Sequence, residues 1–145
     1  MASTIVPDIV KDQTIQSVSE RVSAREAAEL MSQHRIAALP VMEGDGLVGI
    51  VTERDVTGRL VAAGKDPEGT SVGEIMTRNP ETVGPDASPM DVLERMRSRG
   101  YRHIPVTDEQ GRVVAIVGAR DLFQPVKEKL EADLEARDSF LFGGK

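Results

Sequence analysis

Cysteine is absent from the 145-residue chain, and histidine occurs only twice, at His34 and His103. Without thiols the protein has no disulfide framework, no thiolate metal site and no cysteine nucleophile. Two histidines are too few for a histidine-rich zinc site. The lack of cysteine fits a reducing compartment, so we expect a cytoplasmic protein. We also expect the protein to require no metal and no cofactor.

Aromatic residues, long apolar runs and net positive charge are also scarce. Aromatic side chains make up 3% of the chain, whereas surfaces that bind single-stranded nucleic acid stack bases on them. The net charge of −6 disfavours a polyanionic partner. No apolar run approaches the roughly 20 residues that span a bilayer, and Met1–Val10 lacks the pattern of a signal peptide. We therefore expect neither a nucleic-acid partner nor a membrane.

What the chain does contain is an internal repeat. Leu39-Pro40-Val41 matches Ile104-Pro105-Val106 at an offset of 65 residues, and the segment 49–55 matches 115–121 at an offset of 66. The one-residue difference falls in Gly-containing turns, where insertions are tolerated. Two collinear blocks with one insertion in a turn indicate a duplicated unit.

Each copy is predicted to run β-α-β-β-α. Ser23 and Ser88 precede amphipathic segments and are typical helix N-caps. Short apolar strands are predicted at 38–42, 47–51, 103–107 and 113–117, with helices over 53–63 and 122–137. Halves of about 65 residues are marginal alone. We expect an α/β fold in which the two repeats pack about a pseudo-twofold axis and share one core, with a C-terminal helix.

Several short motifs in this order resemble the CBS domain, and two in tandem resemble a Bateman module. The motifs are Ile75-Met76-Thr77, Asn79-Pro80, Thr82-Val83, the two apolar-Pro-Val strands and Gly-Ile-Val-Thr-x-x-Asp at 49–55. The resemblance covers about residues 8–130. It divides the chain into a first repeat with N-terminal segment and linker (1–70), a second repeat (71–130), and a helix end with an apolar tail (131–145).

The resemblance implies a stand-alone regulatory module with two clefts between the repeats. Such clefts commonly bind adenosine-containing ligands such as AMP, ADP, ATP or S-adenosylmethionine, and related modules form homodimers and regulate a protein partner. The residues contain no nucleophile–base set and no Walker-type phosphate loop, so we expect no enzyme activity. The alternative is a structural dimerisation module with degenerate ligand sites.

The first candidate site is Thr52-Glu53-Arg54-Asp55, at a predicted strand-to-helix turn. Thr and Asp at this spacing form a capping box, and the same helix N-terminus favours anionic or hydroxyl ligands. The resemblance assigns Asp55 to ribose hydroxyls and Thr52 to the ribose–phosphate region. The second repeat keeps the carboxylate as Asp121 but has Gly118 in place of the threonine, so one ligand hydrogen bond is expected to be missing there.

The second candidate site is Arg102-His103-Ile104-Pro105, at a predicted strand start. An arginine binds phosphate through two hydrogen bonds, and a protonated histidine adds a switchable donor. We expect Arg102 and His103 to serve a nucleotide whose ribose lies on Asp55, which makes the Asp55 site the stronger one. A surface arginine and a partly buried histidine are the alternative reading. A phosphate on the Asp121 side would depend on Arg35, Arg54 or Arg120.

Apolar side chains must enclose the adenine, and an apolar tail follows the last helix. The candidates for the adenine walls are Val18, Ile36, Leu39, Val83, Tyr101 and Ile104. Ordinary core packing is the alternative for each, and Tyr101 is the residue best suited to stack a base. The tail Phe140-Leu141-Phe142 is predicted to contact a second copy or a partner, with a disordered tail as the alternative.

Overall fold

The computed structural model describes residues 3–141. A short N-terminal turn (Ile5–Ile9) precedes the first repeat, which comprises α1 (Ala24–His34), β1 (Ala38–Glu43), β2 (Gly46–Thr52) and α2, whose first turn is Glu53–Asp55 and which continues as wider π turns over Val56–Val61. The second repeat comprises α3 (Val72–Ile75), β3 (Thr77–Arg78), α4 (Pro89–Arg99), β4 (His103–Thr107), β5 (Val113–Gly118) and α5 (Ala119–Leu141). The expected α/β fold with two repeats and a C-terminal helix is confirmed.

The long helix of each repeat begins at the predicted serine. The Ser23 hydroxyl accepts a hydrogen bond from the Glu26 N–H at 3.1 Å, and Ser88 caps α4 in the same way. Both helices end in a left-handed residue, which is Arg35 (φ 54°) in α1 and Gly100 (φ 78°) in α4. The two ends are equivalent in geometry, although only the second uses the residue that tolerates a positive φ without strain.

The buried prolines of the two repeats lie inside antiparallel hairpins, β1 with β2 and β4 with β5. Proline has no N–H, so each contributes only its carbonyl to the neighbouring chain. Pro40 accepts from the Val18 N–H at 3.2 Å, and Pro105 accepts from the Val83 N–H at 3.1 Å. Val18 and Val83 thus pair in parallel with β1 and β4. The same edge is built twice.

The buried side chains form two clusters, one for each repeat. The single shared core expected from the sequence is therefore wrong, because each hairpin buries its apolar face in a separate cluster of helix side chains, to which α3 contributes on the first hairpin. The first cluster includes Ala27, Met31, Leu39, Val41, Val51, Leu60, Val72, Ile75 and Met76. The second includes Ile5, Val92, Met96, Ile104, Val106, Val117 and Leu122.

The N-terminal segment packs on the second repeat. Ile5 is fully buried in the second cluster, and its N–H donates to the Ala87 carbonyl at 3.1 Å. The Gln13 side chain continues this attachment on β5, where it accepts from the Ile116 N–H at 2.7 Å and donates to the Ile116 carbonyl at 3.2 Å. The sequence-based division placed this segment with residues 1–70, whereas its contacts lie in the second half of the chain.

The opening segment of the second repeat, α3 and β3, packs on the first repeat. Val72 and Ile75 of α3 are fully buried in the first cluster, and β3 pairs with β2. Each repeat is therefore completed by the N-terminal segment of the other half of the chain. This reciprocal exchange joins the two halves.

Helix α5 is longer than predicted and leaves the fold at its C-terminal end. Its buried residues are Ala119, Leu122 and Val126, and no residue from 127 to 141 is buried. Phe140 is 87% exposed, and Phe142, the last member of the predicted apolar tail, lies outside the described residues. Over residues 3–141, none of the helices combines the length and hydropathy that crossing a membrane requires.

Candidate functional site

Asp55 lies where β2 ends and α2 begins. Its Oδ2 accepts from the Thr52 N–H at 2.8 Å and from the Thr52 hydroxyl at 3.2 Å. The Asp55 N–H donates to the same hydroxyl at 3.3 Å, which completes the predicted capping box. The Asp55 side chain is only 12% exposed. Its position is therefore fixed by the fold before any ligand arrives.

The second oxygen of Asp55 faces an arginine that sequence reasoning missed. The Arg59 Nε lies 3.7 Å from Asp55 Oδ1. The Arg59 guanidinium also donates to the carbonyls of Ile75 and Met76, at 3.2 and 3.0 Å. The signal was present, because residues four apart face each other on a helix. Arg59 thus links the candidate site to α3.

The second repeat holds its carboxylate with the same backbone bond. The Gly118 N–H donates to Asp121 Oδ2 at 2.8 Å. The connection that precedes each helix is also shared, since the Glu53 N–H donates to the Ala37 carbonyl at 3.0 Å and the Ala119 N–H donates to the Arg102 carbonyl at 2.8 Å. The two sites share this backbone frame, and the first adds the Thr52 hydroxyl and Arg59 to it.

His103 packs over Gly118, on the Asp121 side of the molecule. A Cβ atom at position 118 would lie 3.3 Å from the His103 Nε2, so the glycine makes room for the imidazole. Burial lowers the pKa of His103, although the Asp121 and Glu53 carboxylates act in the opposite direction. Burial of the imidazole favours its neutral form, and a protonated His103 donor stays a prediction.

Of the four arginines proposed to bind phosphate, one is hydrogen-bonded through its side chain within the described fold and three are not. The Arg54 guanidinium donates to the Gly100 carbonyl at 3.4 Å, so it caps the C-terminal end of α4 in the other repeat. Among residues 3–141, no side-chain hydrogen bond or ion pair involves the exposed arginines Arg35, Arg102 and Arg120. The fold brings α2 of the first repeat against the connection from α4 to β4. These three arginines remain available for an anion.

The predicted adenine walls are mostly core residues. Leu39 and Ile104 are fully buried, Val18 and Val83 are less than 10% exposed, and Ile36 is partly buried at the edge of the first cluster. Their contact with a base stays a prediction.

Tyr101 is tethered to a carboxylate that the sequence did not reveal. Its hydroxyl donates to Glu81, which also pairs with Arg99. Burial and the Glu81 carboxylate raise the pKa of Tyr101 to about 12. The ring packs against the second cluster, so it is held in place rather than free to move onto a base.

Two open grooves lie away from these side chains. One of about 460 Å³ lies beside α1 and is lined by Ser23, Arg25, Glu26, Glu29 and Glu68. Another, of about 300 Å³, lies between residues of the two repeats and is lined by Leu47, Asn79, Pro80, Thr82, Thr107 and Gly111. Neither groove is lined by a predicted site residue.

The fold and these sites define a class of protein. It is a duplicated α/β module in which each repeat carries a fixed carboxylate at the turn from its hairpin to its following helix.

Comparison with known proteins gives that class its family. The CBS domain profile matches residues 6–62 and 72–128. The chain therefore belongs to the CBS domain family and contains a tandem pair of these domains.

Two relatives contain the pair in proteins of different kinds. The chain is 37% identical over 125 residues to an inosine-5'-monophosphate dehydrogenase of Korarchaeum cryptofilum, a match that covers 83% of this chain and 23% of that protein. It is 36% identical over 108 residues to the CBS domain-containing protein YhcV of Bacillus subtilis, covering 74% of this chain and 76% of that one. The pair thus occurs both inside an enzyme and in a short protein.

Solved structures share the fold over most of their length. A protein with CBS domains from Burkholderia ambifaria has a TM-score of 0.79 at 33% identity, covering 86% of this chain and 93% of that one. The CBS domain pair of protein MJ0100, solved with 5'-methylthioadenosine and S-adenosyl-L-methionine, has a TM-score of 0.77 at 30% identity, covering 89% and 99%.

Proposed function

We propose that this protein is a regulatory module that binds adenosine-containing ligands between its two repeats and signals by a change of conformation or association. The observation that carries the proposal is the duplicated carboxylate, Asp55 and Asp121, held by the same backbone bond at 2.8 Å in each repeat. We place the module in the cytoplasm, without catalytic activity of its own, and as a homodimer that contacts a regulated partner.

The carboxylates have the chemistry that a ribose needs. An aspartate can accept hydrogen bonds from both hydroxyls of a ribose diol, as acidic residues do in dinucleotide sites. The position at a helix start also places the positive end of a helix dipole nearby, although the Glu53 and Asp55 N–H groups are already hydrogen-bonded within the fold. Because the capping bonds already orient Asp55, little side-chain entropy is lost when a ligand binds.

A solved structure with bound ligands supports the choice of adenosine. The CBS pair of protein MJ0100 was solved with two adenosine-containing molecules, and this chain covers 99% of it. Arg102 and Arg120 are exposed near the two sites and suit the phosphates of a nucleotide, whereas a sulfonium ligand would not need them.

The two sites are proposed to be unequal. The Asp55 side offers the Thr52 hydroxyl, whereas the Asp121 side has Gly118 with the imidazole of His103 packed above it. The Asp55 site therefore has one more hydrogen-bonding group for a ribose or phosphate. This is the order expected from the sequence, supported here by the Thr52 hydroxyl rather than by His103, which packs over Gly118.

Isothermal titration of the wild-type protein with AMP, ATP and S-adenosylmethionine tests the proposal. We expect saturable heat with at least one of them, and weaker binding of its 2'-deoxy analogue where the ligand is AMP or ATP. Guanosine monophosphate serves as the base control. Absence of binding by all three adenosine compounds would favour the alternative, a structural dimerisation module, which the exposed apolar side chains of α5 also suit.

A further inference from the structure

The exposed face of α5 carries four large apolar side chains in a narrow stripe. Phe123, Leu130, Leu134 and Leu141 are 50%, 49%, 56% and 58% exposed. At about 100° per residue they fall within roughly 40° of the helix circumference, and they extend over about 27 Å of its length. We call these four residues the α5 stripe. Large apolar groups aligned on one exposed helix face mark an interaction surface.

The C-terminal part of α5 lacks support from its own fold. Val126 is the last buried residue of the described helix, and residues 127–138 are all exposed. A helical segment of about 15 residues without tertiary packing is only marginally stable in water. A second surface that covers the α5 stripe would supply the missing packing.

The spacing of the α5 stripe is palindromic. The separations along the chain are seven, four and seven residues, and Ala132 lies at the centre, on the opposite face of the helix. If two copies of α5 pair antiparallel about this centre, Phe123 faces the partner's Leu141 and Leu130 faces the partner's Leu134. Every stripe residue then meets an apolar residue, as a twofold interface requires.

Charges beside the α5 stripe favour the same orientation. On one flank Arg120 and Lys127 precede the centre, Glu131 lies one residue before Ala132, and Asp138 follows it. Antiparallel helices juxtapose identical flanks, so Lys127 comes beside the partner's Asp138. The existing Lys127–Glu131 pair, at 3.8 Å with both side chains mostly exposed, is weak enough to rearrange.

We infer that a second copy of this chain docks on the α5 stripe, with the two α5 helices antiparallel and centred on Ala132. This inference rests on the association named in the proposed function and assigns it a surface and a register. It does not depend on whether the carboxylate sites bind a nucleotide.

Light scattering after size-exclusion chromatography tests the surface. The L130E variant should form an assembly of half the wild-type mass, whereas A132E, which adds the same charge on the opposite face, should keep the wild-type mass. Circular dichroism checks that both variants are folded. A monomeric wild-type protein, or an L130E variant of wild-type mass, overturns the inference.

Single-cysteine variants test the register, because the chain has no other thiol. Oxidation of a mixture of F123C and L141C should give a disulfide-linked dimer, and each variant alone should stay unlinked, since its two thiols would lie about 27 Å apart. Efficient linkage within F123C alone, or none in the mixture, contradicts the antiparallel pairing. Titration of L130E with AMP reports on the nucleotide sites separately, so failure of one proposal is distinguished from failure of the other.

Discussion

At the residue scale, the larger residue of one cross-strand pair lies on opposite strands in the two repeats. In the first repeat Ala38 lies opposite Thr52, and in the second His103 lies opposite Gly118. From sequence alone, Gly118 reads as the loss of a ligand hydroxyl. The register adds that the imidazole occupies the space that a threonine would need. This arrangement could not be predicted, because it depends on which residues the hairpins pair.

Restoring threonine at position 118 should therefore destabilise the protein unless His103 is also reduced. We expect G118T to lower the free energy of unfolding by about 1–3 kcal/mol, as overpacking does. In the G118T/H103A double variant, which resembles the first repeat, the loss should be smaller than the sum of the single losses. Urea denaturation of the four proteins measures the coupling. Additive losses would show that the two positions do not compete for space.

The buried imidazole should also make stability depend on pH. The pKa of His103 lies below its ordinary value of 6.5 because of burial, so the unfolded chain binds the proton more readily than the folded one. Stability from this group is present above pH 6.5 and is lost as the pH falls through the lower, folded-state pKa.

Denaturation midpoints at about pH 7.5 and pH 5.5 measure the effect. H103N should lose less stability on acidification than the wild-type protein does. The matched control is H34Q, which retains the buried imidazole and should keep the wild-type response. Equal acid sensitivity of H103N and wild type would assign the effect to other groups.

At the element scale, the helix starts were predictable and the end of α1 was not. Ser23 and Ser88 were identified because capping depends on local residue types, and both cap their helices in the structure. The end of α1 at Arg35 could not be predicted from residue types, since arginine rarely adopts a positive φ. The equivalent end of α4 uses Gly100, the residue type most common at this position.

Replacing Arg35 with glycine should stabilise the protein. A non-glycine residue in the left-handed region destabilises the folded state by about 1–2 kcal/mol. Glycine removes this strain, but it also makes the unfolded chain more flexible, which offsets part of the stabilisation. We expect R35G to raise the free energy of unfolding by about 0.5 kcal/mol and G100A, the reverse change in the other repeat, to lower it by about 1 kcal/mol. Chemical denaturation of both variants gives the comparison. Destabilisation by R35G would show that its side chain supplies more than the strain costs.

At the scale of the whole molecule, the duplication was evident from the sequence, and the exchange of segments was not. The apolar-Pro-Val strands and the Thr-x-x-Asp turn repeat at nearly constant offsets, so the order of elements followed directly. Residues 5–13 repeat only weakly, and no local pattern indicates that Ile5 and Gln13 contact the more distant half of the chain. Long-range packing of this kind requires the folded structure.

The exchange predicts that the N-terminal segment stabilises the entire pair. Ile5 is fully buried, so I5A should lower the free energy of unfolding by about 2–5 kcal/mol, the usual cost of such a cavity. V61A, at a position that is 66% exposed, is the control and should change stability by less than about 0.5 kcal/mol. Thermal unfolding followed by circular dichroism measures both. If I5A leaves the midpoint unchanged, the segment does not belong to the cooperative unit.

The central claim is that Asp55 binds the ribose of an adenosine nucleotide. The most direct test removes the carboxylate from the protein and the 2'-hydroxyl from the ligand, separately and together. Isothermal titration of wild type, D55N, D121N and the control D91N with AMP and 2'-deoxy-AMP measures how far each carboxylate senses the 2'-hydroxyl. We expect wild type and D91N to prefer AMP by about tenfold to a hundredfold, as a hydrogen bond to a charged group provides. That preference should be lost in D55N and reduced less in D121N. An undiminished preference for AMP in D55N would contradict the account.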